Sequence, residues 1–218
     1  MSLEQNIQSQ LLTQLQGAQA SQAQLNNALR LLSKWRSVLI QNTLLQAQGT
    51  VVMQGPLAGM DFLAESAEGC HIAKLLGCYE QPLQPFIEQA IESAYPTILN
   101  IGCAEGYYAV GMARRMLSTQ VLAFDLNPKA QEVCIALAQK NGVSDRVKVG
   151  AFFKPEDFAR YANQKVLVIA YYWPPAGGPG VQRWFHFVKH LPSFGIAPVV
   201  YVPENPQYPM VDLSPKEA

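Results

Sequence analysis

The sequence predicts an α/β fold built on a parallel sheet, and three observations predict it. Short β-branched and aliphatic runs alternate with amphipathic stretches of helical length from Pro82 to Val202. Two of those runs end in glycine-rich turns, Asn100 to Gly106 and Pro174 to Gly180. The first 48 residues hold no proline and carry leucines at helical spacing. Strands that alternate with helices need crossover connections, and such units assemble into a parallel sheet covered on both faces.

Residues 1–50 are rich in Gln, Leu and Ala, with Leu11, Ala18, Leu25, Leu32 and Leu39 seven apart and Leu15 and Leu29 four after their neighbours. This spacing predicts one long amphipathic helix. Gln22 and Arg36 interrupt the second row and Gly17 weakens the first turns. The helix therefore packs on its own domain or on a neighbouring one, or serves as an oligomerisation seam, and a Gln-rich tract also suits a solvated segment. Gly55-Pro56-Leu57-Ala58-Gly59 ends the pattern, and Val51 to Gly77 reads as one or two short strands with turns.

Order returns after Gln81. Pro82 to Ser93 suits a helix, Thr97 to Ile101 a buried strand, Tyr107 to Met116 a helix and Gln120 to Phe124 a second strand. Pro128 to Asn141 is a helix closed by Gly142, where glycine supplies a left-handed C-terminal turn. Arg146 to Val149 is the third strand and Lys165 to Tyr171 the fourth. Val181 to His190 is a helix stopped by Pro192 and Gly195, and Pro198 to Val202 is the fifth strand. The expected architecture is a Rossmann-like sheet of order 3-2-1-4-5, complete or clipped of its last strands, behind a long N-terminal helix. Its segments are residues 1–50, 51–162 and 163–218, and a clipped sheet would leave an exposed edge that invites self-association.

Composition narrows the function. Sixteen basic and sixteen acidic residues give zero formal charge, so a nucleic-acid partner is not expected. No apolar run approaches the roughly 20 residues that cross a bilayer, and Met1 to Asn6 lacks a basic and apolar leader, so the expected location is cytoplasmic. Cys70, Cys78, Cys103 and Cys134 are far apart with no CxxC pair, which points to buried free thiols rather than a metal knuckle or a disulfide framework. His186 and His190 lie four apart on one helix, but no carboxylate or cysteine completes a metal set, and no metal is expected.

The first glycine turn carries the clearest chemistry. A parallel strand ending in small residues lets the main chain and a helix N-terminus approach a ligand closely. The dinucleotide fingerprint would need glycine at 102, 104 and 107, where Gly102, Ala104 and Tyr107 stand, so a nicotinamide cofactor is disfavoured. Asp125 ends the second strand 23 residues after Gly102, where a carboxylate can accept from both hydroxyls of a ribose or can simply cap the next helix. The spacing of Asn100, Gly102, Ala104 and Gly106 resembles the motif of class I S-adenosylmethionine-dependent methyltransferases, with Asn100 in place of the family's acid and Ala104 in place of a glycine. Asn141 to Val147 is similar to that family's helix-to-strand joint, and residues 55–161 resemble its bacterial FkbM-like members.

The resemblance implies S-adenosyl-L-methionine as cofactor, held by Asn100, Gly102, Cys103, Ala104, Glu105, Gly106 and Asp125, and a small-molecule or glycan-type acceptor. It also suggests Glu156 or Asp157 for the adenine amino group, though Pro155-Glu156-Asp157 equally suits a helix start with carboxylates on its dipole. Tyr107 and Tyr108 either touch the methionine part of the cofactor or pack beside the strand.

From Lys165 to about Asp212 the text resembles something else. Pro174 to Gly180, Gln182-Arg183-Trp184, Leu191-Pro192, Gly195 and Tyr201 to Pro206 are similar to the N-terminal start of GT-B glycosyltransferases of the family 4 type. That likeness makes Gly177, Gly178, Gly180 and Arg183 a candidate turn for a phosphate or an acceptor, or else a plain turn and a solvated arginine. The half of such an enzyme that holds the sugar nucleotide has no counterpart in this sequence.

Overall fold

The computed structural model describes residues 3–16, 21–64, 70–154, 157, 159, 165–169, 174–177, 179–201 and 211. The N-terminal segment is two helices rather than the single long one expected: α1 (Leu3–Leu15) and α2 (Gln22–Gln48). The seven-residue spacing runs on through the break, but Ser21 restarts the helix by accepting from the Gln24 amide at 3.1 Å. Gln24 Nε2 donates back to the Gln14 carbonyl, and the two helices fold together as a hairpin with Ile7 and Ala28 buried.

After α2 the chain makes an isolated antiparallel bridge between Val51 and Asp61, in place of a full strand pair. Met60 and Phe62 are fully buried from this segment. Asn141 grips it from afar, accepting from the Asp61 amide at 3.0 Å and donating to the Asp61 carbonyl at 2.8 Å. A short helix that the sequence reading missed, α3 (His71–Leu76), follows. It ends at Gly77 with φ 74°, where a Cβ would lie 1.8 Å from the Gln54 carbonyl oxygen, so only glycine fits.

A 3₁₀ turn (Gln81–Leu83) leads into α4 (Gln84–Glu92). Then come β1 (Thr97–Ile101), α5 (Tyr107–Arg115), β2 (Gln120–Phe124), α6 (Pro128–Lys140) and β3 (Val147–Gly150). The three strands form one parallel sheet of order β1-β2-β3, with Thr97 opposite Gln120 and Val121 opposite Val147. Asn127 caps α6 by accepting from the Lys129 amide at 3.0 Å, and the Arg146 guanidinium closes α5 on the carbonyls of Ala113 and Met116.

Side chains alternate across the sheet, as strand geometry requires. Val121, Ala123 and Val147 enter the main core with Val110, Ala113, Cys134 and Leu137 of α5 and α6. Each fully buried aliphatic side chain there contributes about 1.5–3 kcal/mol of transfer free energy. Leu99, Ile101 and Phe124 belong to a second cluster with Phe153, Leu191 and Ile196.

The last segment forms β4 (Lys165–Ile169), α7 (Pro179–His190), a 3₁₀ turn (Leu191–Phe194) and β5 (Ala197–Tyr201). β4 and β5 pair in parallel, Lys165 opposite Ala197 and Ile169 opposite Tyr201. Among the described residues they make a sheet of their own, so the continuous order 3-2-1-4-5 is not found. Side-chain burial, not edge pairing, joins the two units: Phe187, Val188 and Phe194 share the second cluster with Leu99, Ile101 and Phe124.

No helix among the described residues is long and apolar enough to cross a membrane. Of the four cysteines, Cys103 and Cys134 are buried, Cys78 is half-buried and Cys70 is exposed, which corrects the expectation that all are interior.

Candidate functional site

The first glycine turn sits at the C-terminal end of β1, against the end of β2. Its backbone is unusual at three of five positions: Gly102 has φ 76°, Ala104 φ 46° and Gly106 φ 91°. Glycine adopts this region freely, whereas at Ala104 the Cβ makes it a strained choice that the surroundings must hold in place. They do so with hydrogen bonds. The Phe124 carbonyl accepts from the amides of Gly102 at 2.7 Å and Cys103 at 2.9 Å, and Gly106 N–H donates to the Cys103 carbonyl at 2.8 Å.

Asp125 completes the turn. One carboxylate oxygen accepts from the Ala104 amide at 2.8 Å and the other from the Asn127 amide at 2.9 Å. The strand-end carboxylate is thus brought against the glycine turn, and in this state its acceptors are engaged by main chain. Asn100 stands on β1 just before the turn, and its Oδ1 is buried with no hydrogen-bond partner among the described residues. Gly106 opens α5, which has no side-chain cap, and a Cβ at Gly106 would lie 2.5 Å from the Cys134 sulfur.

Glu105 holds the turn from below. It is fully buried and its Oε1 lies 2.5 Å from Lys74 Nζ on α3, itself 3% exposed. The Lys74 ammonium also sits 4.9 Å from the centre of the Tyr79 ring. Sequence reading gave Glu105 as a ligand-facing turn residue and missed Lys74. The one available signal was a lone cation in the apolar run His71 to Leu76.

Aromatic side chains wall this region. The Tyr107 ring meets Phe62 and Tyr79 edge-on at 5.4 and 5.7 Å, which is the packing alternative for that residue. Tyr108 Oη donates to Glu80 Oε2 at 2.7 Å. Burial pushes the Glu80 carboxyl above its ordinary range despite that hydrogen bond, and burial beside Glu80 pushes the Tyr108 phenol up as well. A hydrogen bond with Cys134, burial and the nearby Asp125 carboxylate all raise the Cys103 thiol, which stays protonated.

Among the described residues, the remaining candidates make other contacts. Asp157 Oδ2 accepts from the Lys154 amide at 2.9 Å, the turn-capping alternative, and Glu156 lies outside the described residues. Gly177 precedes α7 and Gly180 lies in its first turn, while Gly178 and the side chain of Arg183 lie outside what is described. His186 and His190 join no group of three metal-ligating side chains among the described residues.

Two solved structures are similar to this chain over about three-fifths of its length. One is cofactor-bound Rv0187 from MTB, 18% identical, with a TM-score of 0.33 over 62% of this chain and 53% of that one. The other is an O-methyltransferase family protein from Burkholderia thailandensis, 14% identical, with a TM-score of 0.32 over 61% of this chain and 42% of that one. The chain therefore spans about half the length of these structures. No protein-family model matches the sequence. No curated protein matches it either.

Proposed function

We propose that the chain is a methyltransferase-like domain that binds S-adenosylmethionine at the C-terminal ends of β1 and β2. The observation that carries this reading is the placement of the Asp125 carboxylate 2.8 Å from the Ala104 amide, in a turn whose glycines take φ values of 76° and 91°. A carboxylate at the end of the second parallel strand, facing a glycine turn after the first, suits an adenosine ribose. The residues present fit the cofactor in two further respects. Asn100 Oδ1 is a buried acceptor awaiting a donor, and the uncapped amides that open α5 suit the carboxylate of the methionine part.

Asp125 and Asn100 would hold the cofactor, with Gly102 to Gly106 supplying close main-chain approach. When bound, the cofactor supplies an electrophilic methyl group. The chain's own contribution at this site is orientation, and Lys74 and Glu105 keep the turn in its left-handed shape. Its acceptor is a small molecule or a glycan-type group, and its setting is cytoplasmic.

β4-α7-β5 is a strand-helix-strand unit of a kind that a methyltransferase sheet and a GT-B glycosyltransferase both contain. The support for a fused glycosyltransferase start rests on its sequence motifs alone. Thermal-shift titration separates the readings: S-adenosylhomocysteine is expected to raise the melting temperature, while UDP-glucose and NAD leave it unchanged. A shift produced by UDP-glucose and not by S-adenosylhomocysteine would overturn the assignment.

A further inference from the structure

α2 carries two apolar faces, and among the described residues only one of them is covered. Ala28 is buried and Leu31, Trp35 and Val38 are partly covered along one side of the helix. A second stripe formed by Leu25, Leu29, Leu32, Leu39 and Ile40 is between 41% and 58% exposed. At 100° per residue these five lie within an arc of about 100°, the width of a core-facing helix face. Leu12 and Leu15 of α1, 53% and 65% exposed, turn away from the hairpin seam by a similar step. In an antiparallel hairpin that brings them to the same side. Together the seven side chains present roughly 600 Å², so two copies would cover about 1,200 Å², the threshold for a specific interface.

The stripe is its own complement. A two-fold axis at Leu32 sets Leu25 of one copy against Leu39 of the other and Leu32 against itself, the isologous arrangement of a symmetric dimer. Arg36, the one cation in the stripe, then falls level with Ala28 and one residue's rise from Leu29, and lies about 12 Å along the axis from its symmetry mate, whereas a parallel pair would set Arg36 against Arg36. Its methylene stem can cover Leu29 while the guanidinium reaches water. Arg30 and Lys34 fall about 140° and 180° from Leu25, away from the seam, so the stripe offers no charge pattern for an acidic partner helix to read.

We infer that this face binds a second copy of the chain, with the two α2 helices antiparallel about Leu32. Sedimentation and light scattering of the full chain are expected to give twice the chain mass, and Leu32→Glu is expected to halve it. That position is 45% exposed in the single chain, so the substitution leaves the fold intact and the circular dichroism unchanged. Copper-phenanthroline oxidation then reads the geometry, with Cys70→Ser in every variant. Leu32→Cys is expected to link to its own copy, and Leu25→Cys to link only when mixed with Leu39→Cys. A single chain mass at all concentrations, a dimer that survives Leu32→Glu, Leu25→Cys linking to itself, or binding to anionic vesicles in place of dimerisation would each overturn the inference.

Discussion

Among the described residues, Lys74 and Glu105 form the most deeply buried ion pair. They meet at 2.5 Å with side chains 4% and 0% exposed, and neither charge has bulk water to fall back on. Removing one partner takes the counter-ion from a buried charge, so Lys74→Met and Glu105→Gln are each expected to cost about 3–5 kcal/mol. Replacing both, as Lys74→Met with Glu105→Leu, should cost much less than the sum. Urea denaturation of the four proteins closes the cycle, and additive losses would show that the pair is not a coupled unit. Glu80 makes the opposite case. Its folded carboxyl titrates above the ordinary 4.5, chiefly through burial, so between 4.5 and its folded value the native state holds a proton that the unfolded chain has released. Stability therefore falls as pH rises through that window. Glu80→Gln keeps an acceptor for Tyr108 and removes the buried charge. It is expected to raise the melting temperature by a few degrees at pH 8, with the gain disappearing below about pH 4.5. A gain that persists in acid would contradict the burial explanation.

At the scale of elements, β1 and β2 stand where their residues predict them. Each is a short aliphatic run bracketed by turn formers, and local signals of that kind need no partner to be read. Gly142, with φ 66°, closes α6 as its position implies. The break between α1 and α2 was not legible, because Leu11 and Leu15 share the seven-residue register of Leu25 and Leu29 across it. Lys74 was hidden for another reason: its value comes from Glu105, 31 residues away, and no spacing rule links an α3 cation to a turn after β1. The separate pairing of β4 with β5 is equally nonlocal. Gly106 tests the turn directly. Gly106→Ala would force an alanine to φ 91° with its Cβ 2.5 Å from the Cys134 sulfur, and is expected to cost about 1–3 kcal/mol. Adding Cys134→Ala should restore the part due to collision and leave the part due to backbone strain. Melting curves of the two variants check this, and a neutral Gly106→Ala would mean the turn is not held as described.

Across the whole molecule, a three-stranded parallel sheet is covered on one face by α5 and α6 and on the other by Phe153 with Phe187, Val188, Leu191, Phe194 and Ile196 of the C-terminal unit. The hairpin of α1 and α2 leads into this arrangement and carries its bare apolar stripe. The main core and the second cluster share the strands whose ends form the glycine turn, so the position of Asp125 against Ala104 depends on both. Calorimetric titration of the full chain with S-adenosylhomocysteine tests that arrangement most directly, run on the native protein, Asp125→Asn and Asp125→Ala. Saturable binding to the native chain is expected, with Asp125→Ala weaker by about 1–3 kcal/mol through lost charge-assisted hydrogen bonds and Asp125→Asn in between. Equal affinity in all three proteins, or no heat from the native chain at saturating ligand, would contradict it.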